Sequence, residues 1–248
     1  MTHTLVLIRH GESMWNNLNR FTGWSDVELS GTGVKEAKEV GRILKKNNLI
    51  FDQAYTSVLT RAIRTYQIAM EEANMAWLPV HKHWRLNERH YGALQGRNKS
   101  DTADDFGSED VHIWRRSYNV RPPLLSEYDQ RHPFNDERYR DIDPEELPTG
   151  ESLHDTLERV IPYWEEEIRP QLMNGKKIII SAHGNTVRAL AKKLENISNS
   201  EVAELEIPTG KPIIYKLDPE DLHVVERYYL KDPDQEEHRS WFSFLFGK

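Results

Sequence analysis

The sequence predicts an α/β fold, a three-layer sandwich with a mostly parallel central sheet flanked by helices and with an inserted cap region. Two observations predict it: short apolar runs alternate with amphipathic helical patterns, and the weakly periodic stretch after residue 85 is typical of an insertion rather than of core. The chain has 248 residues, which is long enough to bury the core of such a sandwich. We predict a single domain over residues 1–248, with the cap at about 85–148 and a C-terminal tail at about 231–248.

Six segments carry the patterns of strands. The first is an apolar run that stops at Arg9 and precedes His10, which predicts a buried strand that ends at a loop. A later and more strongly apolar run ends just before His183. The predicted strands are residues 4–9, 51–56, 78–81, 176–181, 212–217 and 224–230.

Four segments have the periodicity of amphipathic helices. Ser57 is predicted to cap the second helix, because a serine hydroxyl can accept a hydrogen bond from the first free backbone N–H groups. Pro162 is predicted to kink or interrupt the third helix, because proline lacks a backbone N–H. The predicted helices are residues 30–48, 57–74, 151–169 and 187–194.

Regular periodicity weakens in the cap region, which is divided in charge. Residues 85–99 are net basic and residues 126–146 are net acidic. Acidic runs of this kind are usually solvated loops, and we interpret residues 126–146 as one. The basic stretch is a candidate for binding an anion.

Composition excludes several classes of function. The chain has no cysteine, so disulfides, cysteine metal sites and thiol nucleophiles are ruled out. The net charge of −7 argues against bulk nucleic-acid binding, although a local cluster of arginines can still form a positive cleft. No apolar run approaches the roughly 20 residues of a spanning helix, and the N-terminus is predicted to be a first strand rather than a signal peptide. We expect a cytoplasmic protein without membrane or nucleic-acid partners.

The two His-Gly strand ends are the first candidates for chemistry. Ligands of open α/β sheets bind at the carboxyl ends of the strands, where His10 and His183 would lie close together. One such histidine is more often a hydrogen-bonded core residue, but two in one chain favour a function. His10 could attack phosphorus if its imidazole were neutral, and the guanidinium groups of Arg9 and Arg61 would lower its pKa. Arginines also stabilise the charge on a phosphoryl group in transfer.

Glu88 leaves two interpretations open. Its carboxyl group could serve as general acid and base for a substrate hydroxyl, or it could simply pair with the adjacent Arg89. A metal site is not expected, since His81 and His83 alternate as strand residues do and have no carboxylate cluster beside them.

These residues and their surrounding motifs resemble the cofactor-dependent phosphoglycerate mutases of the histidine phosphatase superfamily over nearly the whole chain. The run NERHYG and the run WRRSY are the most specific to the mutases, because simple phosphatases of the superfamily lack this cap. The motifs are LIRHGESMWN at 7–16, FTGWSDVELSGTG at 21–33, TSVLTRAIRT at 56–65, WRLNERHYGALQGRNK at 84–99, WRRSYNVRPP at 114–123, PTGESL at 148–153, AHGNTVRAL at 182–190 and IPTGKPIIYKL at 207–217.

The resemblance implies a role for each matching position. His10 would be the phosphorylated nucleophile, Glu88 the proton donor and acceptor, and three basic residues would surround the phosphoryl group: Arg9, Arg61 and His183. The residues implied to bind the substrate carboxylate and second phosphate are Ser13, Asn16, Thr22, Gly23, Arg89, Tyr91, Lys99, Arg115, Arg116, Gly184 and Asn185.

The implied reaction interconverts 3-phosphoglycerate and 2-phosphoglycerate, with 2,3-bisphosphoglycerate as the priming phosphoryl donor and no metal. The family also implies a homodimer or homotetramer. Two other functions stay open: dominant bisphosphoglycerate mutase or phosphatase activity, and a catalytically silent scaffold that binds phosphorylated ligands.

Two positions depart from the family pattern. Thr186 stands where serine is frequent, which keeps the hydroxyl. The C-terminus ends in the aromatic run SWFSFLFGK, whereas family tails are rich in alanine and lysine and fold over the site. We expect this aromatic tail to pack on the body of the protein or at a subunit contact, and we expect faster hydrolysis of phospho-His10 if it closes the site poorly.

Overall fold

The structure is a computed structural model that describes residues 2–234. Six strands in this part of the chain form the central sheet: β1 (His3–Arg9), β2 (Gln53–Thr56), β3 (Val80–Lys82), β4 (Ile178–Ala182), β5 (Ile213–Leu217) and β6 (Val224–Tyr229). They lie in the order β3-β2-β4-β1-β5-β6. Neighbouring strands from β3 to β1 are parallel, while β5 and β6 are antiparallel additions at one edge. The predicted mostly parallel sheet is confirmed.

Helices cover both faces of this sheet, which makes the three layers. Those described are α1 (Met14–Asn17), α2 (Gly31–Lys46), α3 (Thr60–Glu72), α4 (Lys99–Phe106), α5 (Ser108–Arg116), α6 (Leu153–Tyr163), α7 (Arg169–Met173), α8 (Gly184–Glu195) and α9 (Asn199–Glu204). Pro162 lies inside α6, and a π-helical turn, Trp164–Ile168, joins α6 to α7 just after it, so the α-helical geometry changes near the predicted position but the chain stays helical through to Met173.

The side-chain alternation of β1 explains why the strand is a continuous apolar run. Leu5 and Leu7 pack into the cluster beneath α6 and α8, while Val6 and Ile8 pack into the cluster beneath α2 and α3. All four side chains are buried. A strand that is covered on both faces needs apolar residues at every position rather than at alternate ones.

Helices α2 and α3 approach each other closely at Gly41. A Cβ atom at this position would lie 2.3 Å from the backbone oxygen of Ala69 and 2.7 Å from the Cβ of Glu72. Glycine is therefore required there by the contact between the two helices, which together cover one face of the sheet.

Several predicted boundaries are wrong. Ser57 is not a helix cap: α3 begins at Thr60, and the Ser57 hydroxyl bonds the N–H of Leu59 and the ring of His183 instead. Helix α8 begins three residues earlier than predicted, directly after His183, because the chain turns into the helix as soon as β4 ends. Helices α1, α4, α5 and α9 were not predicted.

The cap region is more ordered than its sequence indicates. It contains α4, α5 and several 3₁₀ turns. The acidic stretch at 126–146 is only partly a solvated loop, because Tyr139 is buried and Ile142 is partly buried against Trp24 and Trp84. Its exposed charges form local ion pairs, among them Arg138 with Asp136 at 2.5 Å.

The aromatic tail at 241–246 lies outside the described residues. The chain before it is tied to α2, since Asp232 forms an ion pair with Arg42 at 2.5 Å and another with Lys46 at 3.1 Å. No helix within residues 2–234 is both long enough and apolar enough to cross a bilayer.

Candidate active site

Two histidine rings meet at the carboxyl edge of the sheet. Strands β1 and β4 are parallel neighbours with Arg9 opposite Ala182, so the residues that follow them, His10 and His183, come side by side. Their ring centroids are 5.0 Å apart with an interplanar angle of 62°. The predicted proximity of the two rings is confirmed.

The two ring nitrogens of His10 differ: one carries a proton and donates a hydrogen bond, and the other has a free lone pair. Nδ1 lies 2.6 Å from the carbonyl oxygen of Gly11, and because a carbonyl only accepts, Nδ1 carries the proton. Nε2 is then a lone-pair nitrogen, 3.3 Å from Nε of Arg61. Burial lowers the pKa of His10 well below its ordinary value, and the charges of Arg61 and Arg9 lower it further. The imidazole is therefore neutral at physiological pH, as a nucleophile requires.

Arg61 is held rigidly beside that nitrogen by the first turn of α3. Its guanidinium donates to the carbonyl oxygens of Gly23 at 2.7 Å and Ser25 at 3.0 Å. Burial lowers the pKa of Arg61 to about 10, which still leaves the group charged at neutral pH. A fixed cation therefore lies next to the reactive nitrogen before any ligand arrives.

His183 is fully buried behind His10. Its Nε2 is 2.8 Å from the hydroxyl of Ser57, and its Nδ1 has no hydrogen-bond partner within residues 2–234. Burial, and then the nearby Arg61 and His10, lower the pKa of His183 well below its usual range. A neutral second ring therefore lies beside His10, with its Nδ1 not engaged in any hydrogen bond among the described residues.

The carboxyl group of Glu88 lies at the cleft, and one of its oxygens accepts hydrogen bonds from the protein. Oε1 accepts hydrogen bonds from the backbone N–H of Arg89 at 2.8 Å and from two nitrogens of Asn185 at 3.0 and 3.1 Å. The guanidinium of Arg89 points elsewhere, to the hydroxyl of Tyr91 and the carbonyl of Arg115. The alternative of a simple Glu88–Arg89 ion pair is therefore not what the structure shows.

A buried ion pair that sequence reasoning missed supports the backbone of Glu88. Arg159 on α6 pairs with Glu151 at 2.6 Å and donates to the carbonyl oxygens of Arg85 at 2.7 Å and Glu88 at 3.1 Å. Trp24 adds a bond from its indole N–H to the Glu88 carbonyl at 2.6 Å. The segment that carries Glu88 is thus fixed by side chains distant in sequence.

The cleft above His10 is small and basic, with a volume of about 150 Å³. Most of the residues predicted from sequence line it together. These are Arg9, His10, Asn16, Thr22, Gly23, Arg61, Glu88, Tyr91, Lys99, Arg115, Arg116, Gly184 and Asn185. Burial and the neighbouring Arg115 and Arg9 lower the pKa of Lys99, so positive charge is already concentrated there without a ligand.

Three predicted site residues lie behind the cleft wall instead of on it. Ser13 is buried, and its hydroxyl accepts the N–H of Asn16 to cap α1. Arg89 is buried and lies over the ring of Tyr91, and His183 lies behind His10. Any effect of Ser13 or Arg89 on a ligand in this structure passes through the residues that they hold.

Sequence reasoning also missed residues that line the cleft: Arg20, Phe21, Arg188, Leu205, Glu206 and Ile207. Arg188 lies within the motif AHGNTVRAL at 182–190, one helical turn after Gly184, and could have been identified from it. Arg20 falls between two of the quoted motifs, so no local pattern marks it. Thr186 keeps the expected hydroxyl, which donates to the carbonyl of Asn87 at 2.7 Å.

Among residues 2–234, two groups of side chains could bind a cation, and neither lines the cleft. The groups are His154 with Asp155 and Glu158, and Asp218 with Asp221 and His223. The expectation of a metal-free site stays a prediction.

The fold and the site together define a class of protein: an α/β sandwich with a neutral buried histidine among arginines at the carboxyl edge of its sheet. The chain belongs to the histidine phosphatase superfamily (branch 1), whose family model matches residues 5–131 and 124–229. Members of this superfamily are phosphatases and phosphotransferases.

Solved structures share the fold at low identity. A mycobacterial glucosyl-3-phosphoglycerate phosphatase, in complex with VO3, is 22% identical with a TM-score of 0.68, and the match covers 92% of this chain and 96% of that one. The alpha-ribazole phosphatase of Shigella flexneri is 20% identical with a TM-score of 0.67, covering 92% and 96%. These likenesses show the fold.

Proposed function

We propose that this protein interconverts 3-phosphoglycerate and 2-phosphoglycerate through a phosphohistidine at His10, primed by 2,3-bisphosphoglycerate. The observation that carries the proposal is the cleft itself. It combines a neutral Nε2 on His10, a cation beside it at Arg61, and further basic groups supplied by the cap at Lys99, Arg115 and Arg116. Positive charge both beside His10 and in the cap suits a ligand with two anionic groups.

In the first half of the proposed reaction, the free hydroxyl oxygen of 3-phosphoglycerate attacks the phosphorus carried by Nε2 of His10. A P–O bond forms as the P–N bond breaks, and the ring nitrogen keeps the electron pair. The hydroxyl proton passes to the carboxylate of Glu88, which is within the same cleft. The product is 2,3-bisphosphoglycerate.

In the second half, the bisphosphate turns in the cleft and presents its other phosphate to His10. Nε2 attacks that phosphorus, the P–O bond breaks, and Glu88 returns the proton to the leaving oxygen. Arg9 and Arg61 stabilise the charge on the transferring group in both directions. Loss of the intermediate leaves an unphosphorylated enzyme, which explains the requirement for a priming donor.

The fold comparison favours a second candidate, because the similar structures named above are phosphatases. In that case water, rather than a second substrate oxygen, would take the phosphoryl group from His10. The resemblance of the NERHYG and WRRSY runs to the mutases supports the first candidate. It also supports a cytoplasmic location and a homodimer or homotetramer.

The test is a coupled assay with 3-phosphoglycerate, in which enolase reports 2-phosphoglycerate, with and without trace 2,3-bisphosphoglycerate. A mutase gives strong stimulation by the bisphosphate, and labelled bisphosphate leaves an acid-labile, alkali-stable label on the protein. His10→Ala should lose both the turnover and the label. Free phosphate as the main product would establish the phosphatase instead.

A further inference from the structure

An acidic side chain sits at the rim of this otherwise basic cleft. Among the described lining residues, Glu206 and Glu88 are the two that carry a carboxylate. The carboxylate of Glu206 forms an ion pair with the guanidinium of Arg116. The carboxylate of Glu206 thus binds the guanidinium of Arg116, which the proposed function assigns to binding the ligand.

The backbone around Glu206 is held in place by residues of the cleft and sheet. Arg9 donates to the carbonyl of Ile207 at 2.7 Å, and Arg188 donates to the carbonyl of Leu205 at 2.8 Å. Tyr229 donates to the carbonyl of Glu206 itself at 3.4 Å. The segment therefore has a fixed position relative to the cleft.

The side chain of Glu206, in contrast, is largely exposed to solvent. It is 70% exposed, whereas the side chain of Arg116 is 28% exposed. The bond to Arg116 lowers the pKa of Glu206, and the charges of Arg188 and Arg9 act in the same direction. At neutral pH the group is a carboxylate on a fixed backbone, and an exposed ion pair of this kind is broken at little cost.

We infer that Glu206 competes with the ligand for Arg116 and thereby sets the affinity of the cleft for extended polyanions. In the empty cleft, the carboxylate neutralises Arg116. A ligand whose far end carries a phosphate displaces the Glu206 carboxylate from Arg116. The displaced carboxylate stays near the phosphate and repels it, because both are negatively charged. A ligand that fills only the inner end, at His10 and Arg61, leaves the ion pair intact. The inference rests on the proposed function only in that the ligand carries two anionic groups.

The experiment measures binding to the full chain by calorimetry with two probes, tripolyphosphate as an extended polyanion and inorganic phosphate as an ion for the inner end alone. In Glu206→Gln, tripolyphosphate should bind about three- to tenfold more tightly than in the wild type, and inorganic phosphate should change by less than about twofold. Glu204→Gln is the matched control, since Glu204 is exposed two residues away, outside the cleft lining. It should bind both probes as the wild type does.

A second comparison separates competition from general charge. In an Arg116→Ala background, Glu206→Gln should no longer tighten tripolyphosphate binding. Unchanged or weaker tripolyphosphate binding in Glu206→Gln overturns the inference, and so does an equal gain for both probes or a gain that persists without Arg116. Turnover of 3-phosphoglycerate is measured separately. Its absence would contradict the proposed function, whereas the binding results would still decide the role of Glu206.

Discussion

The neutral state of His10 links the site to the stability of the fold. Its pKa in the folded protein lies well below that of the unfolded chain, so below about pH 6.5 the unfolded chain takes up a proton that the folded protein does not. The free energy of unfolding should therefore fall as the pH is lowered from 7 to about 5.5. His183 and His90, whose pKa burial lowers to about 3, act in the same direction.

Urea unfolding at the two pH values checks this expectation. The His10→Gln variant should show a smaller loss of stability than the wild type, by about 1 kcal/mol, because its side chain does not titrate. Equal losses in the two proteins would mean that His10 takes up its proton as readily in the folded protein as in the unfolded chain, which contradicts the lowered pKa.

Glu88→Gln tests the proton transfer assigned to this carboxyl group. The amide oxygen can still accept the hydrogen bonds from Arg89 and Asn185, so ligand binding should change little. Under the proposed function, the turnover of phosphoglycerates should fall by about 10²- to 10⁴-fold, since the amide can neither take nor return a proton. Phosphorylation of His10 by p-nitrophenyl phosphate is the control, because its leaving group needs no proton. An equal loss with both donors would point to a damaged site.

At the scale of elements, helix α6 supports the catalytic segment through the buried pair of Arg159 and Glu151. Arg159→Met leaves the Glu151 carboxylate buried without its partner, which should lower the free energy of unfolding by about 3–5 kcal/mol. Turnover should fall as well, because the carbonyl of Glu88 loses a donor.

The same helix provides a matched control for that variant. Arg121 pairs with Asp155 of α6 at 2.6 Å, but the Arg121 side chain is 58% exposed. Arg121→Met should therefore cost only about 0.2–1 kcal/mol in urea unfolding and leave turnover unchanged. If the two variants lose the same stability, the buried pair has no special role.

The elements differ in how well sequence predicts them, for physical reasons. Strands β1 and β4 are covered on both faces, so their continuous apolar runs were visible. Helices α4 and α5 each bury a single residue, Thr102 and Val111, and so leave little periodicity to detect. Ser57 has the residue type and position of a helix cap, but a tertiary contact with His183 takes its hydroxyl.

The candidate site likewise contains residues that the sequence predicts and residues that it does not. His10, Arg61 and Glu88 lie in local motifs that a reader of the sequence can recognise. Glu206 reaches the cleft only because the chain folds back over it, and none of the quoted motifs includes it. Contacts between residues distant in sequence decide such positions.

At the scale of the whole molecule, the charge of the cleft opposes the charge of the protein. The chain carries −7 overall, while the cleft gathers basic residues from β1, α3 and the cap. Attraction of the proposed anionic substrate is therefore local, and salt should screen it. We expect the KM for 3-phosphoglycerate to rise about tenfold as potassium chloride is raised from about 0.05 M to about 0.5 M.

Steady-state assays at several salt concentrations measure this effect. Lys99→Gln should have a higher KM at low salt and a shallower dependence on salt, since one charge of the cleft is gone. A KM that is insensitive to salt would mean that contacts other than long-range charge govern substrate capture.

The order of strands also has a consequence for how the protein is made. Of the six described strands β1 is synthesised first, yet both of its neighbours, β4 and β5, are encoded beyond residue 177. The backbone N–H and C=O groups on both edges of this apolar strand therefore stay unpaired until β4 and β5 have been translated. We expect the nascent protein to bind chaperones during this interval. Because the two histidines follow β1 and β4, phosphohistidine chemistry cannot precede the closing of that sheet.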